Sequence, residues 1–386
     1  MTTPMNSPFV FGTTVSTYSF TNRENETKKL KANLLGGVNT MIIAPRRWGK
    51  SSLVEKVIFE IAAKKGNPKT VILDLFSFGN KEEFLEGFAR SIIKASSPRW
   101  QEWMSSGRDF FKSLIPKLSI GASPDTDFSI SFDWKELKKH EDEILNLPEM
   151  IAKKKGIKFI VCLDEFQNLA SFPEYDDFEK KMRALWQRQK SVTYCLYGSK
   201  RHMMIDIFNN SSKPFYRFGD IMVLPKIARE RWADFICQGF ANTNKKISAS
   251  DAESIAGLMK DTSWYVQQLA HYTWLLTKKT VTVKELNAAI LELIYANAPF
   301  YQKETEVLSL TQLNLLKAVA KGEAQFTSTL VMQHYLLGTP NNVSKNKNIL
   351  INNDLIQEID GRYEFVDPAF ELWFNKQYFN KPYVIS

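Results

Sequence analysis

The residues Ala44-Pro45-Arg46-Arg47-Trp48-Gly49-Lys50-Ser51-Ser52 follow a short apolar run, Thr40 to Ile43, and precede a stretch with helical spacing. A glycine, a lysine and a hydroxyl residue in that order, between a strand and a helix, suit the cradling of a polyphosphate. The backbone at Gly49 must come close to phosphate oxygens with no side chain in the way. Loop amides and the N-terminus of the following helix then hold the anion. Lys50 reaches the outer phosphates, and Ser51 and Ser52 open the helix, with Ser51 placed to coordinate Mg²⁺. Loops of this kind usually begin with glycine, and Ala44 stands there instead. A methyl group fits at that point if the backbone keeps a negative φ. Arg46 and Arg47 lie inside the loop and contact either phosphates or a neighbouring domain.

A second run, Phe159 to Leu163, ends in Asp164-Glu165. Two carboxylates at the end of a buried strand are what a phosphate loop needs beside it. Asp164 would hold the metal through water and Glu165 would polarise an attacking water. Taken alone, the same pair also reads as a helix cap. A third strand ends in Tyr197-Gly198-Ser199, where Ser199 is either a γ-phosphate sensor or part of an ordinary strand-to-helix turn. Arg217, in Lys213-Pro-Phe-Tyr-Arg217, would stabilise charge on a transferred phosphoryl group, or would form a structural ion pair.

The elements that must position these residues follow from periodicity. Helices are expected over Asn22 to Leu35, with Asn22 as cap, and over Ser51 to Ala63, Phe84 to Ala95 and Phe178 to Gln189. Strands are expected at Thr40 to Ile43, Thr70 to Phe76, Lys158 to Leu163, Thr193 to Tyr197 and Ile221 to Leu224. Alternation of strand and helix implies a parallel sheet covered on both faces. Residues 97–147 interrupt that rhythm. Within them, Lys117 to Ile120 and Phe128 to Phe132 alternate around Gly121 to Asp125 and predict a hairpin insertion. Helical spacing then runs from Ala228 to about Asn297, followed by short helices and a turn-linked strand pair. The division read from this is an irregular lead-in at 1–20, a core at 21–225 and two smaller domains at 226–298 and 299–386.

The chain has 386 residues and a net charge of +9, with basic residues scattered in short runs rather than gathered in one patch. Such runs read as solvated helix ends. The longest apolar stretches are too short to span a membrane, and no secretion signal is visible. The three cysteines, Cys162, Cys195 and Cys237, lack metal-ligand spacing, which points to a reducing, cytoplasmic setting.

Taken together, Ala-Pro-Arg-Arg-Trp-Gly-Lys-Ser-Ser, Leu-Asp-Glu-Phe-Gln-Asn, Tyr-Gly-Ser and Pro-Phe-Tyr-Arg resemble the archaeal-type ATPases. These are signal-transduction ATPases with numerous domains (STAND), related to the AAA+ class. Phe20-Thr-Asn-Arg23-Glu24 is similar to the entry motif of that family. The resemblance covers nearly the whole chain. It implies an AAA+-like P-loop NTPase core with a parallel sheet, an all-α lid and a winged-helix domain, with ATP and Mg²⁺ as ligands. Two signatures differ: Ala44 replaces the first glycine of the loop, and Asp261 to Gln267 replaces the family's Gly-x-Pro turn in the lid.

The region from Leu310 is similar to a winged helix, with Ser344 to Asn352 as recognition helix and Ile356 to Phe365 as wing. Lys345, Lys347, Asn346 and Asn348 would face DNA, yet the charge from Phe300 onward is nearly balanced, so protein contact is the better-supported use of this region. Three functions follow: an ATP-hydrolysing switch, a DNA-binding protein that uses ATP as a structural or loading ligand, and an ATP-controlled scaffold for another protein.

Overall fold

The apolar run Thr40–Ile43 is a strand with every side chain buried, as a central strand of a doubly covered sheet requires. The computed structural model describes residues 7–13, 22–64, 66–97, 119–123, 126–131, 140–359 and 361–382. Residues 14–21, 98–118 and 132–139, with parts of the expected entry motif, lead-in and insertion, lie outside them. The chain divides into two compact units, Asn22–Pro225 and Met1–Thr21 with Lys226–Ser386.

The first unit alternates helix and strand: α1 (Glu24–Leu35), β1 (Thr40–Ile43), α2 (Lys50–Ala62), β2 (Lys69–Asp74) and α3 (Lys81–Ser96). An antiparallel hairpin, β3 (Ser119–Ser123) and β4 (Thr126–Ser131), follows as the alternation predicts. Then come α4 (Glu141–Lys155), β5 (Phe159–Asp164), α5 (Tyr175–Trp186), β6 (Val192–Gly198), α6 (Arg201–Asn209) and β7 (Asp220–Val223). The five parallel strands stand in the order β2-β5-β6-β1-β7. Strand β6 is buried along its whole length, and β5 along all but its final Asp164. Register sets Ile43 beside Gly198 and Asp74 beside Asp164, so the carboxyl ends of β1, β5 and β6 lie side by side. One apolar core, including Phe84, Phe88, Phe166, Trp186 and Phe215, fills the layer between sheet and helices.

Two local readings change. Asn22 does not cap α1: Arg23 holds that position in the left-handed region, with no side-chain cap, and Asn22 is left-handed as well. Helix α4 starts at Glu141, inside the interval read as an insertion. It is anchored there by Glu141, which accepts from Lys81 at 2.6 Å and Lys181 at 2.8 Å, with both Lys81 and Glu141 buried.

The second unit is helical, with α7 (Arg229–Ala241), α8 (Ala249–Leu258), α9 (Ser263–Leu276), α10 (Val283–Glu306), α11 (Leu310–Ala320), α12 (Thr329–His334) and α13 (Pro340–Asn352). A hairpin of β8 (Ile356–Ile359) and β9 (Arg362–Phe365) and a final helix, α14 (Pro368–Phe379), complete it. Helix α10 is continuous across residue 299, with Pro299 inside it. A single apolar cluster runs from Trp232 and Tyr265 to Leu316, Phe365 and Phe370. The described N-terminal residues join it: Phe9 is buried against Phe235 and Phe240, and the Val10 amide donates to Gln267 Oε1 at 3.1 Å. Among the described residues, no helix is long and apolar enough to cross a membrane.

Candidate functional site

The loop between β1 and α2 is built by backbone conformation. Gly49 caps α2 at φ 84°, a region that glycine enters without steric cost. Arg47 is also left-handed, at φ 67°, whereas Ala44 is not among the left-handed residues and is fully buried. The methyl group at the first loop position therefore costs no backbone strain. Helix α2 begins at Lys50, so the positive end of its dipole faces the loop.

Side chains from three segments meet at the strand ends. Lys50 is 6% exposed. Its Nζ lies 3.0 Å from Asp164 Oδ1 and 3.4 Å from Glu165 Oε1, and 5.2 Å from the centre of the Tyr197 ring. Ser51 Oγ donates to Asp164 Oδ2 at 2.7 Å. Glu165 follows the strand in the left-handed region, φ 49°, which turns its carboxylate back across the sheet edge. Its Oε2 accepts from the Ser199 hydroxyl at 2.7 Å, from the Ser199 amide at 3.3 Å and from the Gln167 amide. Arg46 Nε donates to Ser199 Oγ at 3.3 Å, so the loop, the carboxylates and the end of β6 form one network.

Burial raises the Glu165 pKa, but Lys50, Gln167 and Ser199 together outweigh it and hold the carboxyl below the usual range. Glu165 therefore stays an acceptor at neutral pH. The donor set at Ser51 and Asp164 is oxygen only, which suits a hard cation such as Mg²⁺ that keeps several waters and takes few protein ligands. Lys50 has two carboxylates as partners at the mouth of the loop.

Not every expected residue joins this network. Pro45, Trp48 and Ser52 are buried in the loop and helix start, and Arg47 is exposed. Arg217 is exposed at φ 51°, with its guanidinium 5.1 Å from the Tyr216 ring centre, outside the contacts of Lys50, Asp164, Glu165 and Ser199. Conversely, Gln167 and Tyr197 belong to the site without having been singled out. Gln167 follows Glu165 by two residues, the spacing at which a turn returns a side chain to its neighbour. In the second unit, Asp261 pairs with Arg229 at 3.0 Å, and Thr262 stands at the N-cap position of α9 without a side-chain cap bond, in the stretch where a Gly-x-Pro turn was expected.

Sheet order, loop and carboxylate pair define a P-loop NTPase fold followed by a helical region and a winged helix. Residues 299–376 match the family described as a probable winged helix domain. The Walker-type ATPase PABY2304 of Pyrococcus abyssi is similar at 18% identity, covering 95% of this chain and 99% of its own, with a TM-score of 0.68. The Aeropyrum pernix ORC2 protein, solved in ADPNP–ADP complexes, gives 15% identity, 93% and 95% coverage and a TM-score of 0.57. The Aeropyrum pernix ORC1 protein in complex with DNA gives 13% identity, 92% and 93% coverage and a TM-score of 0.50. No curated protein matches the sequence significantly.

Proposed function

We propose that this chain binds ATP with Mg²⁺, hydrolyses it, and uses the bound and hydrolysed states as a switch read by a protein partner. One observation carries the reading. Lys50 and Ser51 at the start of α2, with Asp164, Glu165 and Ser199 at the ends of β5 and β6, are joined in a single chain of contacts of 2.7–3.4 Å. Loop amides and the α2 N-terminus take the phosphates, Lys50 donates to their outer oxygens, and Ser51 with Asp164 supplies the oxygens for the metal. A Mg²⁺ ion held by Ser51 and Asp164 would supply positive charge against the phosphate oxygens. Glu165 accepts a proton from the attacking water, held in place by Ser199 and Gln167, and Arg46 stays near Ser199. Arg217 has no assigned part within its own subunit.

Phosphate release by the purified chain tests this. The wild type is expected to show Mg-dependent turnover. Lys50→Ala is expected to weaken ATP binding at least tenfold, by removing a charge-assisted contact of about 1.5–3 kcal/mol. Glu165→Gln is expected to bind ATP but to turn over about 10²- to 10³-fold more slowly, as loss of a general base implies. Absence of ATP binding at millimolar concentration would refute the reading.

Protein contact is favoured over DNA contact for the winged helix by two observations. Residues 299–376 carry seven basic residues against nine acidic ones. On and just after α12, Leu330 and Leu336 are 81% and 70% exposed. The ORC1 likeness keeps DNA as the alternative.

A further inference from the structure

Arg23 stands in the left-handed region at φ 69°, directly after Asn22 at φ 54°. Non-glycine residues persist there only where their surroundings over-determine them. The side chain is 5% exposed and makes three hydrogen bonds. Nη2 donates to the carbonyl of Trp48 and to the carbonyl of Pro225, each at 3.0 Å, and Nη1 donates to Glu26 Oε1 at 3.3 Å. Trp48 is the loop residue before Gly49. Pro225 is the last residue of the α/β unit before the chain passes to Lys226. One guanidinium thus joins the phosphate loop to the peptide by which the chain leaves the unit.

The Trp48 carbonyl decides more than its own direction. In a trans peptide the carbonyl and the next N–H point oppositely within one plane. Pinning Trp48 O therefore fixes the direction of the Gly49 N–H, a backbone donor in the loop. Nη2 takes both carbonyls and Nη1 takes Glu26, so the three contacts use two nitrogens fixed in one plane, a fork that arginine has and lysine lacks. Glu26 fixes the guanidinium from its other side.

We propose that Arg23 is a positioning residue that sets the Trp48–Gly49 peptide for anion binding and couples that peptide to the exit segment at Pro225. The proposal rests on the reading of the loop as an ATP site. Occupancy of the loop then tightens the 222–228 segment, and disturbance of that segment loosens the loop.

Two measurements test it. Arg23→Lys keeps the charge but has one terminal nitrogen where the guanidinium uses two, so it cannot hold both carbonyls and Glu26 in the same geometry; Arg23→Gln removes the charge. Both are expected to raise KM for ATP about tenfold, the worth of a charge-assisted hydrogen bond, while kcat stays within about threefold because Lys50, Glu165 and Ser199 are untouched. A merely structural role would lower the melting temperature and leave KM of the folded fraction at the wild-type value, and that result would overturn the proposal. Hydrogen exchange on the wild-type chain is the second measurement and needs no variant to fold. ATP is expected to raise protection at 46–51 and at 222–228 together. Protection confined to 46–51 would overturn the coupling, whereas no ATP effect at 46–51 would fell the ATP reading itself.

Discussion

Gly198, at the end of β6, leaves room for a side chain only if its neighbours move. A Cβ there would lie 1.9 Å from Gln167 Oε1 and 2.6 Å from Met204 Sδ. A Cβ would have to push aside the ends of the Gln167 and Met204 side chains, and the Gln167 amide occupies that space in order to reach Glu165. Gly198→Ala is therefore expected to destabilise the α/β unit by about 1–3 kcal/mol, as overpacking does, and to slow phosphate release by displacing Gln167 from Glu165. Urea denaturation and the phosphate assay together check this; unchanged stability with unchanged turnover would contradict it. Lys50, Ser51, Asp164 and Glu165 were legible as a set because strand, loop and helix leave a local signature. Gln167 and Arg23 were harder to read, because one acts through a turn and the other through backbone carbonyls that carry no side-chain code.

At the scale of elements, caps and strand ends do most of the placing. In the winged-helix region, Asp367 accepts from the Ala369 and Phe370 amides at 2.8 and 2.9 Å, and the Tyr301 hydroxyl donates to it at 3.3 Å. One carboxylate therefore starts α14 and ties it to α10. Asp367→Ala is expected to cost about 1–2 kcal/mol, the usual worth of such a cap, read as a lower urea midpoint for the second unit. An unchanged midpoint would mean the cap is redundant there. The short helices and the turn-linked strand pair after them were readable from sequence, the pair as a wing through resemblance to a winged helix. The continuity of α10 through Pro299 was not, because proline inside a helix is tolerated only where the surrounding packing makes up for the lost bond.

For the whole molecule, the net charge of +9 is unevenly shared, since the segment matched as a winged helix is not basic. Its candidate recognition helix is partly committed already. Lys347 donates to the Tyr363 hydroxyl at 3.0 Å and Asn346 to Thr311 Oγ1 at 3.1 Å, while Lys345 is exposed. Double substitution of Lys345 and Lys347 by alanine is therefore expected to change duplex DNA affinity less than about threefold, with a salt slope lowered by no more than about 1. A salt titration of DNA binding checks it; a tenfold loss would favour the DNA reading.

The sequence alone determined the alternation of strand and helix, the phosphate-loop pattern and the carboxylate pair, because each depends on neighbours a few residues apart. The tertiary structure decided what those residues meet. Strand order brings Ser199 to Glu165, across 34 positions of chain, and carries Arg23 to Trp48 and Pro225. It leaves Arg217 on the surface, outside that network. Such pairings depend on which strands lie side by side and where a chain re-enters its fold, and no local spacing encodes either.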